Sequence, residues 1–446
     1  MFELGPLLRR ELLEVELAGD NRERAFAVSA SHGAATESGA LPVFLQMGQT
    51  ERPPNEDWSH FKERVGQQLV DTRSDLEKVG IGGTTMLFAS NALACEAEPG
   101  QVAELIEKDV AGKLLELDPL RQVAQLNETH DDLEIPQFMD RTGGLDGAGV
   151  RLAVIDSGVD EHHPFLRVAE SAETCGESVD IPGKHGTHCA GAIASTDGVF
   201  PGIAPGVTLI NIKSMRANGR AIAAWISQGV DEALDRDADV ISISVAFNHL
   251  PIRVPNGHEW DCPDGMCLLC TAVDNAAQRG KIVVVAAGND HERAQALLAG
   301  GHGNDYNTEL GCPGQARSAI TVGAISKGSF EPAAFSSCGP TSYGSNKPEL
   351  VGPGVNITST VPVPRNSAGQ PNGSPPRKQL FGQDSGTSIA TPMVAAVAAL
   401  LIQKARAAGD APSVDDIRGE LLRDAVAGLG GPPNVVGAGR LCLGSF

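Results

Sequence analysis

An aspartate, a histidine and a serine stand in three short motifs: Asp156 in VIDSG, His185 in HGTHCAG and Ser388 in SGTSIATP. Together they supply an acid, a base and a nucleophile. A serine hydroxyl is a poor nucleophile near neutral pH, so a neutral imidazole must take its proton as it attacks a carbonyl carbon. A carboxylate must then hold that imidazole in the right tautomer and stabilise the imidazolium. Asp156 is the candidate orienting acid, His185 the base and Ser388 the nucleophile. Singly, each has a structural reading: strand-end aspartates cap turns, a histidine at a helix start can be a satisfied polar group, and a serine in SGT can cap a helix. Their coincidence favours the catalytic reading, and the order Asp, His, Ser is informative because unrelated folds place the same groups in different orders.

These side chains need elements that bring them together. Apolar runs at 150–155, 208–213, 239–245, 281–286 and 319–324 alternate with helical patterns. Near-continuous runs of this kind indicate parallel strands covered on both faces, an α/β architecture. In open parallel sheets ligands gather at the carboxyl ends of strands, and Asp156 and Asn289 each follow such a run. Both are expected at one sheet edge. Ser388 follows Gly386 and opens an Ala-rich helix through Ala408. Its backbone N–H therefore sits at the positive end of that helix, where an oxyanion is stabilised.

Upstream, the pattern differs. Alternation over 10–30 around a GDN turn reads as a β-hairpin. A strand at 41–47, a helix over 57–78 with Trp58, Phe61, Val65 and Leu69 on one face, and an extended stretch at 84–96 follow. A second helix after Pro99, with Val102, Leu105 and Ile106 inward, precedes a strand at 113–117. This succession predicts a small α+β domain over 1–126, a connector at 127–149 and a larger catalytic domain over 150–446. At 446 residues the chain has room for two or three domains at roughly 150 residues each.

With its motifs set out, the chain resembles the subtilisin-like serine proteases, the subtilases. Beyond the triad motifs, VVVAAGND (283–290), FSSCGP (335–340), KPELVGPGVNITST (347–360) and the final GAGRL are similar to family segments. The resemblance implies a subtilisin-like parallel sheet with helices on both faces, and endopeptidase activity through an acyl-enzyme with no cofactor for catalysis. It implies that Asn289 donates its side-chain amide to the oxyanion beside the Ser388 N–H. It also implies that a peptide or protein substrate pairs as a strand along Ser244, Val245 and Ala246, with Ala286, Ala287 and Gly288 lining the pocket before the scissile bond. Ala246 stands where the family usually has glycine, which predicts a small or medium side chain in that pocket; Asp290 would instead favour a basic one. MLFASNALACEAEPGQVAELIEKDVAGKLLELD (86–118) is similar to the second half of subtilase inhibitory propeptides, which are ferredoxin-like. The N-terminal domain is thus expected to be an intramolecular chaperone and inhibitor, cut between about Leu120 and Asn127 by analogy. A proteolytically silent subtilase-fold binding protein, its N-terminal domain permanently docked, is the alternative; the intact triad argues against it.

Composition narrows the partners. With 35 basic against 56 acidic residues the net charge is −21, which repels nucleic acid and anionic membrane. The start lacks the apolar core of a secretory signal, and the run from Met393 to Ile402 falls short of the roughly 20 residues a membrane span needs, so a cytoplasmic protein is expected. Nine cysteines, an odd number spread along the chain, read as reduced thiols. His258, Cys262, Cys267 and Cys270 are four soft ligands at short spacing that could hold zinc. Cys270 stands where subtilases often bury a cysteine, so core thiols are the preferred reading and no metal is assigned. The segment 193–205 is shorter than the family loop that often holds calcium, so its oxygen ligands are expected to be missing.

Overall fold

The computed structural model describes residues 3–4, 41–46, 58–78, 80–87, 92–97, 101, 114–117, 120–121, 142–247, 262, 265–299, 308–366, 369–371, 375–423, 425, 429 and 431–442. The hairpin expected at 10–30, the helix expected after Pro99, and His258 lie outside them.

The N-terminal strands are β1 (Glu3–Leu4), β2 (Leu41–Gln46), β3 (Thr85–Leu87), β4 (Ala92–Ala97) and β5 (Leu114–Leu117), with helix α1 (Trp58–Lys78) between β2 and β3. They form one sheet in the order β1-β5-β2-β4-β3. The single extended stretch expected at 84–96 is two strands instead, β3 pairing antiparallel with β4. Ser90 and Asn91, turn-forming residue types, stand between them. Helix α1 buries Phe61, Val65, Leu69, Thr72 and Leu76, a spacing of three and four residues that places them on one face.

Strand β6 (Leu120–Arg121) leads to the larger sheet, built from β7 (Arg151–Asp156), β8 (Val168–Glu173), β9 (Thr208–Lys213), β11 (Val240–Ile243), β12 (Ile282–Ala286), β13 (Ile320–Ser326) and β14 (Leu350–Val355), with the short β10 (Ala221–Ile222) outside it. Its order is β14-β13-β12-β11-β7-β9-β8, and every pairing is parallel. Leu152 and Val154 belong to one apolar cluster with Ile389, Val394 and Val397; Ala153 and Ile155 belong to another with Ile226, Val230 and Val273. Both faces of the sheet are therefore covered. That is why β7, β9, β11, β12 and β13 read as largely apolar runs rather than alternating ones, whereas the edge strand β8 is partly exposed and polar.

The covering helices are α2 (Lys184–Ala194) and α6 (Thr387–Ala407) on the first face, and α3 (Ala223–Asp235) and α4 (Leu268–Gln278) on the second. Helix α5 (His291–Ala299) follows β12, and α7 (Val414–Arg423) follows α6. Helix α6 is long and apolar enough to cross a membrane, but 83% of its apolar window is buried inside the protein. Its alanines let the helix lie close on the sheet. Strand order reverses around β7, whose neighbours β9 and β11 lead outward in opposite directions, so the carboxyl end of β7 opens on a crevice suited to a ligand.

The N-terminal sheet rests on α3 and α4. Leu87, Ala92 and Ala94 join the apolar cluster of those helices, the Arg279 guanidinium lies 3.9 Å from the centroid of the Phe61 ring, and Lys62 pairs with Asp235 at 2.8 Å. Strand β6 continues the contact by pairing antiparallel with β10, Leu120 opposite Ile222 and Arg121 opposite Ala221. Phe61 is 1% exposed, so Phe61→Ala is expected to cost about 3–5 kcal/mol through the cavity it leaves. Limited proteolysis checks this: the variant should lose protection upstream of residue 121 while the larger sheet keeps its unfolding midpoint, and equal protection of both proteins would refute it.

Candidate active site

Asp156 ends β7, and its register partners on either side are set by the parallel ladder, with Lys213 opposite it on β9 and Ile155 opposite Ile243 on β11. The residue is 1% exposed. A carboxylate this deep needs donors. Ser157 N–H gives one at 2.6 Å to Oδ1, and His185 Nδ1 approaches both oxygens at 2.9 Å. The loop after Asp156 is held by the buried Lys213 ammonium, which donates to Ser157 O at 2.7 Å and Ile181 O at 2.9 Å and pairs with Glu177 at 2.8 Å.

His185 lies in the first turn of α2, where Gly186 lets the helix meet this loop. A Cβ there would lie 2.7 Å from Gly158 O and 3.1 Å from Asp156 Oδ1. The imidazole is therefore clamped on one side by the carboxylate, and its Nε2 sits 3.0 Å from Ser388 Oγ. With Nδ1–H donated to Asp156, Nε2 is the acceptor for the serine proton. Burial alone would lower the His185 pKa, but the Asp156 carboxylate outweighs it and holds the group well above its ordinary 6.5. Cys189, one turn further, places Sγ 3.9 Å from His185 Nδ1 and 3.5 Å from Ser388 O. It is fully buried, and burial pushes its thiol up, so it is a packed floor rather than a reactive group. His188 is buried and lowered well below the ordinary value by that burial; His163 packs its ring against Phe165 and Phe381.

Ser388 is the second residue of α6, after an extended Gly386 whose N–H bonds Gly354 O at 2.8 Å. Its own N–H is among those a helix's ladder leaves open. Asn289 follows β12 through Gly288, whose φ of +111° is open to glycine and whose Cβ would lie 2.9 Å from Ser337 Oγ. The Asn289 amide is oriented by Thr387: Oδ1 accepts from Thr387 N at 2.9 Å and from Thr387 Oγ1 at 3.0 Å. Because the Thr387 N–H can only donate, the atom facing it is the amide oxygen, and the NH₂ is turned the other way. The Thr387 hydroxyl also accepts from Gly288 N–H at 3.1 Å. A third motif residue, passed over in the sequence, thereby ties Ser388 to Asn289. Its only sequence signal was its place in SGTS.

The remaining expected positions fall along the same edge. Ser244, Val245 and Ala246 continue β11 beyond Ile243, and Ala286 ends β12, which pairs with β11, with Ala287 and Gly288 directly after it. Asp290, directly after Asn289, is 7% exposed, and its main-chain N–H donates to Ser337 Oγ at 3.0 Å. Cys262, Cys267 and Cys270 come together, but with Cys312 as their neighbour. In the short loop after α2, Asp197 is engaged by the Arg377 guanidinium and by the N–H groups of Val199 and Phe200 at 3.0 and 2.8 Å. Burial would raise its carboxyl, but these donors hold it below the ordinary range.

Comparison with known proteins agrees with this geometry. A model of the subtilase family matches residues 147–439. The chain is 30% identical to serine protease AprX of Bacillus subtilis (strain 168) over 374 residues, 79% of this chain and 78% of that protein. It is 32% identical to an intracellular serine protease of Paenibacillus polymyxa over 336 residues, 73% of this chain and 88% of that protein. Subtilisin E of Bacillus subtilis (strain 168) is 31% identical over 320 residues, covering 70% and 71%.

Covalent labelling of Ser388 by a fluorophosphonate reads the site directly. Only neutral His185 can accept the serine proton, so labelling should fall as pH drops through a midpoint above 6.5, the side to which Asp156 moves this group. A midpoint at or below 6.5 would contradict that assignment. Thr387→Val should slow labelling about tenfold or more by releasing the Asn289 amide, whereas Thr387→Ser keeps the hydroxyl and should restore most of the rate. Equal rates in both variants would remove Thr387 from the positioning scheme.

Proposed function

The chain belongs to the subtilase family and is a serine endopeptidase, and we propose that Asp156, His185 and Ser388 are its catalytic triad and Asn289 its side-chain oxyanion donor. The observation that carries this reading is the unbroken relay of 2.9 Å from Asp156 to His185 and 3.0 Å from His185 to Ser388. Catalysis in this family needs no cofactor, and the substrate is a peptide or protein.

Ser388 Oγ attacks the scissile carbonyl carbon while its proton passes to His185 Nε2. The Asp156 carboxylate stabilises the imidazolium without taking the proton itself. Negative charge that develops on the carbonyl oxygen is met by the Ser388 N–H and by the Asn289 amide NH₂. A single such donor is worth about 10²–10³ in kcat, a magnitude established on subtilisin. His185 then returns its proton to the leaving amine, the C–N bond breaks, and an acyl-enzyme remains. Water, deprotonated by the same imidazole, releases the acid product and restores Ser388.

The N-terminal domain, 1–126, is proposed as the intramolecular inhibitor of the catalytic domain, 150–446, with 127–149 as connector. Its support is the docking of the N-terminal sheet on α3 and α4 and the antiparallel pairing of β6 with β10, which is how an extended peptide is held by main-chain hydrogen bonds. Substrate would follow the same course, with Ser244, Val245 and Ala246 as the second edge and Ala286, Ala287 and Gly288 lining the pocket; the Ala246 methyl then favours a small or medium side chain. An intracellular setting fits the name of the Paenibacillus polymyxa relative and the unbridged thiols among the described residues.

Intact mass and N-terminal sequencing of the purified chain and of Ser388→Ala test the scheme. The parent should show a break between about residues 120 and 127 that is absent from Ser388→Ala. Cleavage of both proteins at the same bond, or fluorophosphonate labelling that survives Ser388→Ala, would overturn it.

A further inference from the structure

We infer that Cys262, Cys267, Cys270 and Cys312 form a tetrathiolate site for a structural zinc ion, which staples the wall of the substrate cleft to the helix behind it. The four Sγ atoms all lie within 4.8 Å of one another. Cys262 and Cys270 Sγ are 3.7 Å apart, and Cys270 and Cys312 Sγ 3.4 Å. A tetrahedron with Zn–S bonds of about 2.3 Å has S···S edges of about 3.8 Å, so these thiols need only small adjustments to enclose an ion. A disulfide would need two of these sulfurs at about 2.05 Å and would leave the other two beside it. None of the four is disulfide-bonded.

The sulfurs come from separate stretches of chain, and each is delivered by a specific local structure. Cys267 is the N-cap of α4, with Cys270 in its first turn, so both sulfurs lie at the positive end of a helix buried against the sheet. Cys262 reaches them through a turn at Gly265, whose φ is +68° and whose Cβ would lie 2.8 Å from Gln315 O. Cys312 lies 42 residues beyond Cys270, in the segment that carries Gln315. A zinc ion with four thiolates carries two net negative charges, and a buried site must offset them. Here the Cys267 N–H donates to Cys262 Sγ at 3.2 Å, and the fully buried Gln315 points Nε2 at Cys312 Sγ from 3.9 Å. Gln315 is in turn oriented by the Ser342 N–H, which donates to its Oε1 at 2.9 Å.

The location gives the ion its task. Phe247 and Cys312 exchange both main-chain hydrogen bonds, at 2.7 and 2.8 Å, so the residue after Ala246 is tied directly to a zinc ligand. Gly311 N–H donates to Ala287 O at 3.0 Å, and a Cβ on Gly311 would meet the Ala246 methyl at 2.8 Å. One ion at this point fixes the segment bearing Ser244, Val245 and Ala246 against the segment bearing Ala287 and anchors the chain's return at Cys262. Sequence spacing pairs Cys262, Cys267 and Cys270 with His258; the fold brings in Cys312.

The test uses the full-length chain in a Ser388→Ala background, so that self-cleavage does not intervene, purified without chelators and analysed by inductively coupled plasma mass spectrometry. About one zinc per chain is expected, falling below about a tenth in Cys262→Ser and Cys312→Ser and unchanged in Cys175→Ser, because three thiolates close a site poorly. Cobalt substituted for zinc should show the thiolate charge-transfer and tetrahedral d–d bands. If a serine variant fails to fold, the parent protein still decides: titration with an organomercurial should release its zinc in step with four thiols. Zinc well below stoichiometric after growth in zinc-supplemented medium, a mass four hydrogens lighter from two disulfides, or zinc retained in Cys312→Ser would each overturn the proposal.

Discussion

The site depends on keeping one carboxylate charged in a place that excludes water. Asp156 is 1% exposed, and its charge is tolerable only because a main-chain N–H and the His185 ring donate to it. That requirement dictates the close packing nearby. Gly186 has no room for a methyl beside Gly158 and Asp156, Gly183 none beside Ser157, and the buried Lys213 ammonium gathers the carbonyls of Ser157 and Ile181. The same hydrogen bond that makes the carboxylate acceptable holds the imidazole with its other nitrogen toward Ser388. Burial of the acid and orientation of the base are one interaction.

The two-sided sheet makes such burial possible. The central strands β7, β11 and β12 are largely apolar and covered on both faces, and their carboxyl ends bring Asp156, Ser244 and the Gly288–Asn289 segment to one edge. Helix α6 adds Ser388 from the side, with Thr387 linking it to Asn289. Small residues along α6 let it lie directly on the sheet, so the positive end of a long, rigid helix supports the nucleophile.

Much of this was legible in advance where chemistry and short-range pattern coincide. The triad motifs, the parallel α/β class and the helix at 58–78 follow from residue types and periodicity within a few positions of each other. What local pattern does not show depends on partners far along the chain. Within the stretch at 84–96, β3 and β4 pair antiparallel, and β4 also pairs with β2, a contact some fifty residues away in sequence. β10 carried no signal, being two residues long and, among the described residues, paired with β6.

Sequence by itself determined which groups this protein brings to its chemistry and in what order: an acid, a base, a nucleophile and an amide, each in a local context that only a few conformations satisfy. Tertiary structure decided which of those groups touch. Thr387 became the hinge between nucleophile and amide because the start of α6 is packed against the turn after β12. Cys312 joined Cys262, Cys267 and Cys270 because the chain's pairing at Phe247 brings it there. The physical reason is range: rotamer, turn and helix preferences act over a few residues, whereas distances of 3 to 4 Å between remote side chains are set only when a close-packed interior leaves them no other arrangement.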